Sequence, residues 1–318
     1  MYDAAWDYRN PYLWREKVEN ESFAPMMIEV AVTGEVMGKE YNPNVPETVE
    51  EQVEAVYQAY QEGAVICHIH GRNPQDLTKG TADSSVYSRI NEQIRKRCPG
   101  MIINNTTGGG PELTIEQKLC CLYADCKPDM ASLNTGIFML NMTLKERKAP
   151  LPNPHPETNI DVNLLTSYGK IRETAKLMLE QGVKPAVEMF QPGQFMVVRD
   201  LLKNDLLEKP VDIEMVFGLQ TFNYAHPAKF MDMIRELPKD VIYFATGMGV
   251  YQLPMNIMSI VNGGHVRVGL EDTVEYTPGV LAESSAQMVK RIRRIAEDCN
   301  RTIATPDQAR EMLGLRKI

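Results

Sequence analysis

Along the chain, short apolar runs alternate with longer segments in which apolar side chains return every three or four positions. The runs have the signature of buried strands, and the longer segments that of amphipathic helices. Strands are expected at 27–33, 64–70, 101–106, 130–134, 185–190, 213–218, 242–246 and 266–271. Helices are expected between them, among them 47–61, 84–97, 163–181, 228–236 and 254–262, with a long final helix at 280–298. Thr305-Pro306 supplies an N-cap and a first-turn proline for a short terminal helix. Residues 1–25 lack this rhythm but carry Trp6, Tyr8, Tyr12 and Trp14, so they read as an arm packing on the body or on a neighbouring subunit.

Eight strand–helix repeats over residues 26–318 predict a (β/α)8 TIM barrel, an α/β fold, as one catalytic domain. A doubly wound sheet is the runner-up. It is disfavoured because no strand runs into a G-x-G-x-x-G loop; Thr107-Gly108-Gly109-Gly110, followed by Pro111-Glu112, fits a turn better.

Composition narrows the class. A net charge of −8 argues against a nucleic-acid surface, and Lys290-Arg291-Ile292-Arg293-Arg294 reads as the solvated face of a helix. No apolar stretch reaches membrane-spanning length, and the N-terminus lacks a signal-peptide pattern. The six cysteines have no zinc-finger spacing and suggest reduced thiols in a cytoplasmic protein. Buried apolar packing accounts for them better than catalysis. The many methionines read as core filling.

Polar residues gather at the strand ends. The second strand ends in His68-Ile69-His70, whose imidazoles share one side of an extended strand. With Glu271, at the end of the eighth strand, they would make a metal site of two nitrogens and one oxygen with an open position. The structural alternative is a histidine pair that only hydrogen-bonds in a half-buried strand. Arg267 and Glu271 share a face, whereas Asp272 points the other way unless a turn swings it inward. Arg267 and Asp272 are catalytic candidates, or simply a structural ion pair. Glu188, in an apolar strand, needs a partner, a ligand or a proton. Thr106, Thr107, Gly108 and Gly109 offer hydroxyls and N–H groups for a substrate carboxylate, or form a tight strand exit. His155 reads as a loop residue, and His226 lies in the loop after the sixth strand. In a barrel the C-terminal strand ends form one face, where polar residues read as catalytic.

These residues together resemble the β-keto acid cleavage enzymes, whose founding activity is 3-keto-5-aminohexanoate cleavage. The matching segments include Ala31-Val32-Thr33-Gly34, Asn44-Val45-Pro46, His68-Ile69-His70, Thr106-Thr107-Gly108-Gly109 and Met130-Ala131-Ser132-Leu133-Asn134. Val187-Glu188, the run from Gly263 to Asp272, the run from Ala282 to Gln287 and the run from Ala304 to Arg310 also match. The resemblance spans roughly 27–315. It implies a zinc-dependent barrel, usually a homotetramer, that uses acetyl-CoA to convert a β-keto acid into acetoacetate and a new acyl-CoA. By position it implies His68, His70 and Glu271 as zinc ligands, and Arg267, Asp272, Glu188 and Thr106 in catalysis. Gly109 and Ser132 then line the substrate. Where the aminohexanoate enzyme has a glutamate for the substrate ammonium, two residues after the Thr-Gly turn, this chain has Val36. Glu35 precedes it and is expected to face oppositely on an extended segment.

The implied chemistry starts with zinc polarising the β-ketone while Asp272, oriented by Arg267, removes the C2 proton. The enolate attacks acetyl-CoA, and CoA thiolate then attacks the original ketone to release acetoacetate. The residues alone support metal-assisted enolate chemistry. Two other functions fit the same barrel: a zinc hydrolase, which would not need acetyl-CoA, and a metabolite-binding protein without turnover.

Overall fold

The computed structural model describes residues 3–110 and 113–316; Pro111 and Glu112 of the glycine-rich turn lie outside the described residues. Eight parallel strands close into a barrel: β1 (Ile28–Ala31), β2 (Ile66–Ile69), β3 (Ile102–Asn105), β4 (Met130–Asn134), β5 (Lys184–Met189), β6 (Val211–Phe217), β7 (Val241–Gly247) and β8 (His265–Val268). Each strand pairs with its sequence neighbours, and β8 closes the ring on β1. This is the expected (β/α)8 barrel, with all eight expected strands in place.

Alternation along each strand sorts side chains between two compartments. On β2, Cys67 and Ile69 face outward into a layer packed by helices Val49–Gln61, Ser84–Arg97 and Ser285–Asp298. Ile66 faces inward and joins Met27, Ile102, Met130, Ile242 and Phe244 in an apolar plug at the bottom of the barrel. Helix Pro306–Leu313 closes that end with Ala309, Met312 and Leu313. Its start carries the Thr305 cap, reinforced by Gln308 at the third position.

Element boundaries shifted where local caps or hairpins decide them. The helix expected at 163–181 begins at Tyr168, capped by Ser167, because residues 158–164 pair with 138–144 as a hairpin. The helix expected from 280 begins at Ser285 under a Ser284 cap, because Val280–Leu281 pairs with Glu275–Thr277. Within the arm, helix Pro11–Glu19 starts under an Asn10 cap. Trp6 and Tyr8 are buried against this same chain, with Tyr8 edge-on to Tyr243 and Trp6 beside Phe23. All six cysteines are free thiols. Among the described residues, no helix is long and apolar enough to cross a membrane.

The bottom is also tied electrostatically. Buried Arg310 donates to both Asp129 oxygens at 3.0 and 3.1 Å and to the Gly100 and Met101 carbonyls. Arg310→Met keeps much of the volume but leaves these acceptors without it. We expect a loss of about 3 kcal/mol in unfolding free energy, read from urea titrations. A change below about 1 kcal/mol would mean that the ion pair does not secure the terminal helix.

Candidate active site

Inward positions near the upper ends of the strands are polar, in contrast to the plug beneath them. β1 contributes Glu29, opposite Arg267 of β8, and Ala31 sits opposite His68 of β2. β3 contributes Asn104, opposite His68, and β6 contributes Glu214, opposite Glu188 of β5. β1 lies between β2 and β8, so both expected contributors to the metal site reach the same side of the mouth.

The chain turns sharply after β8, and that turn builds the site. Gly269 has φ +148°, and a Cβ there would run into the Ala31 carbonyl oxygen. The Asp272 and Thr273 N–H groups fold back on the Gly269 carbonyl, and the Glu271 N–H bonds to the Ala31 carbonyl. This turn swings Asp272 inward despite its odd spacing from Arg267. A Cβ at Gly34 would lie 2.9 Å from Glu271 Cγ, so its absence leaves room for the carboxylate.

His68, His70 and Glu271 converge. One potential ligating atom from each lies within 4.8 Å of the other two. His70 Nε2 is 3.3 Å and His68 Nε2 3.8 Å from Glu271 Oε1. Among the described residues, two buried atoms there, His68 Nδ1 and Glu271 Oε2, have no hydrogen-bond partner. Two imidazoles and one carboxylate with spare lone pairs fit a divalent cation such as zinc. Burial pushes His68 well below its ordinary pKa, keeping it neutral. Burial opposes ionisation of Glu271 too, but Arg267 and the two histidines hold its carboxyl low. For His70, burial works downward, but Glu271 and Glu35 outweigh it and raise the imidazole to about 10.

Arg267 is the hub. Its Nη2 donates to Glu271 Oε1 at 2.6 Å and to Asp272 Oδ1 at 3.0 Å. Its Nη1 donates to Glu214 Oε2 at 3.3 Å and stands 3.8 Å from Glu188 Oε1. Burial drives the Asp272 carboxyl up to about 7 against the pull of Arg267. Burial and the neighbouring Glu214 drive Glu188 up to about 8. Below them, burial raises Glu29 and Glu214, and Asn104 bridges the two at 2.8 and 3.2 Å. Sequence reasoning missed this lower layer. Its signal was acidic residues flanked by apolar neighbours inside a strand, as in Ile28-Glu29-Val30 and Val211-Asp212-Ile213-Glu214-Met215.

The turn after β3 takes the form of a tight strand exit. The N–H groups of Thr107, Gly108 and Gly110 bond to Ser132 Oγ, Thr106 Oγ1 and Glu35 Oε2, so they are not open to a ligand. Thr106, Thr107, Gly108 and Gly109 line the cavity. Ser132, buried in β4, braces the turn from behind instead of lining that cavity.

Glu35 also departs from expectation: it turns inward. Its Oε1 lies 3.5 Å from His70 Nδ1, and its Oε2 accepts from Gly110 N at 2.7 Å. Glycine at position 80 makes this possible, since a Cβ there would meet the Glu35 carboxylate. Val36 lines the cavity and is partly exposed. His155 pairs with Arg147 at the cavity edge, and His226 caps helix Pro227–Glu236 through Nδ1. Glu188, Arg267, Glu271 and Asp272 line the same cavity, of about 1040 Å³.

Comparisons with known proteins show the family and the fold. A family model described as beta-keto acid cleavage enzyme matches residues 25–315. A 3-keto-5-aminohexanoate cleavage enzyme from Fusobacterium nucleatum is 33% identical over 92% of this chain and 98% of its own length. A 3-oxoadipate:acetyl-CoA acetyltransferase from Cupriavidus necator is 31% identical over 92% and 95%. The solved apo structure of ObcA superposes with a TM-score of 0.68 at 18% identity, over 88% of this chain and 67% of that one, and shows the shared fold.

A carboxylate on the far nitrogen of a ligating histidine fixes its tautomer, and removing such a partner typically weakens metal binding 10–100-fold. Glu35→Gln is therefore expected to raise the zinc dissociation constant by about that factor in a chelator competition, with the far-ultraviolet spectrum unchanged. The double variant His68→Ala/His70→Ala should retain no stoichiometric metal on elemental analysis. Full retention in that variant would remove the metal assignment.

Proposed function

This chain belongs to the β-keto acid cleavage enzyme family, and on that premise we infer that it converts a β-keto acid and acetyl-CoA into acetoacetate and a new acyl-CoA. One observation carries the reading: Arg267 joins the His68–His70–Glu271 donor set to Asp272 at one end of a cavity of about 1040 Å³. Zinc is the ion we assign to that donor set, where it would polarise the β-ketone and acidify the adjacent C2 position.

The chain's own residues then divide the work. Asp272, oriented by Arg267 through Nε and Nη2, accepts the C2 proton. The C2 carbanion bonds to the acetyl carbonyl carbon, and CoA thiolate leaves. The thiolate adds to the original ketone carbon, the C2–C3 bond breaks, and Asp272 returns its proton to acetoacetate. Glu188, raised to about 8 by burial, keeps its proton near neutrality and offers an acidic O–H to oxygen atoms that gain charge. The Thr106 hydroxyl and the Gly109 backbone form one wall for the substrate carboxylate. The homotetramer and the cytoplasmic setting of the resemblance belong to this reading as well.

The cavity gives a substrate ammonium no partner at Val36, and both Glu35 oxygens already face other groups. A desolvated, unpaired ammonium costs several kcal/mol. We expect kcat/KM for 3-ketopentanoate to exceed that for 3-keto-5-aminohexanoate, with acetoacetate appearing only when acetyl-CoA is supplied. A clear preference for the amino compound would assign Glu35 to substrate recognition. Turnover without acetyl-CoA would favour the hydrolase.

Asparagine nearly matches aspartate in shape but cannot take up a proton. Asp272→Asn should keep its metal and its melting temperature while kcat falls on the order of 10²–10⁴-fold. A near-normal kcat would reduce Asp272 to a structural partner of Arg267.

A further inference from the structure

The antiparallel hairpin formed by Phe138–Leu144 and Thr158–Leu164 is a two-stranded sheet outside the barrel, between β4 and the helix that follows it. Its two faces differ. Met139, Asn141, Thr143, Asn159, Asp161 and Asn163 are exposed. The alternate positions, Phe138, Leu140, Met142 and Leu144 with Ile160 and Val162 opposite, line the same cavity as the metal-site residues.

A two-stranded sheet is marginal by itself, yet this one is fastened at both ends. On one side, Thr221 and Gln220, from the loop after β6, bond to the backbone of Met139 and Asn141. On the other, the Tyr41 hydroxyl bridges Thr143 O and Lys145 N at 3.3 and 2.9 Å. Beyond it, buried Arg147 pairs with Glu47 and Glu40. Phe138 also packs against Phe190 and Phe222. The hairpin is therefore held as a roof, with its apolar underside over the cavity.

We propose that this chamber holds the tail of the β-keto acid, and that the preferred substrate carries an extended apolar chain beyond its ketone. The proposal rests on the cleavage reading above. Three observations choose this occupant. The chamber is continuous with the residues assigned to the reacting atoms, so a chain attached to the ketone carbon can extend into it. The inward hairpin side chains offer only carbon and sulfur, except for Thr158, the first residue of its strand, whose hydroxyl donates to the Pro156 carbonyl. Much of the hairpin backbone is engaged, in the ladder between its strands and in the bonds to Gln220, Thr221 and Tyr41. A pantetheine arm has amides and a hydroxyl that would lose their water without replacement there, whereas methylenes lose nothing. Methylenes in such a site each contribute enough burial for about a fourfold gain in kcat/KM.

The test is a chain-length series of 3-keto acids from pentanoate to dodecanoate with acetyl-CoA, scored by acetoacetate release. It is paired with displacement of 11-(dansylamino)undecanoate by decanoate. We expect kcat/KM to rise about fourfold per methylene until the chamber is filled, and decanoate to displace the probe. In Leu140→Gln, the ratio of kcat/KM for 3-ketodecanoate to that for 3-ketopentanoate should fall about tenfold, a ratio that a partly misfolded preparation would not change. Equal kcat/KM for short and long acids, or an unchanged ratio in Leu140→Gln, overturns the chamber assignment and leaves the cleavage reading standing. Probe displacement with no acetoacetate from any acid overturns the cleavage reading and leaves the apolar chamber. Failure of both overturns both.

Discussion

The Arg267 guanidinium, buried at the heart of the barrel, organises the rest of the site. A cation removed from water needs anionic or hydrogen-bonding partners on all its edges. Here Glu271, Asp272 and Glu214 accept from it, and Glu188 stands just beyond. One positive charge cannot balance so many ionised carboxylates in a desolvated space. Burial accordingly pushes Glu29, Glu214 and Glu188 toward their protonated forms, while Glu271, closest to Arg267 and flanked by two histidines, stays ionised. Asp272 sits between these extremes, raised by burial against the pull of Arg267.

Two halves of the barrel meet this demand differently. The lower interior is a mainly apolar plug, sealed by the terminal helix, with Asp212 and His265 buried at its level. The upper interior exchanges that packing for charge and for glycine turns. Gly34, Gly80 and Gly269 each leave space that a carboxylate or a carbonyl occupies. Above that plug the polar constellation is held by its own hydrogen bonds and ion pairs.

Selectivity is built outside the barrel. Glu35 supports His70 from behind, so the wall nearest the metal site presents Val36 to the cavity. The fastened hairpin supplies an apolar roof at the far side. The cavity thus joins the charged cluster around Arg267 to the apolar underside of the hairpin.

Hydrophobic periodicity located the eight strands, and their count, with no strand running into a G-x-G-x-x-G loop, favoured the barrel over a doubly wound sheet. The His68-x-His70 pair, Arg267 and Glu271 were legible because spacing on a strand assigns a face. Three features were decided only in three dimensions. Asp272 is brought inward by a turn whose necessity lies in the Ala31 carbonyl, a group 238 residues earlier in the chain than Gly269. Glu35 faces His70 because the backbone after Gly34 leaves the extended form on which its opposite facing was inferred, and because Gly80 makes room. The hairpin at 138–164 shows the period of a strand in its sequence, but its position over the cavity depends on bonds from Tyr41, Gln220 and Thr221. Local pattern states which side of an element is apolar; only packing between distant segments states what that side faces.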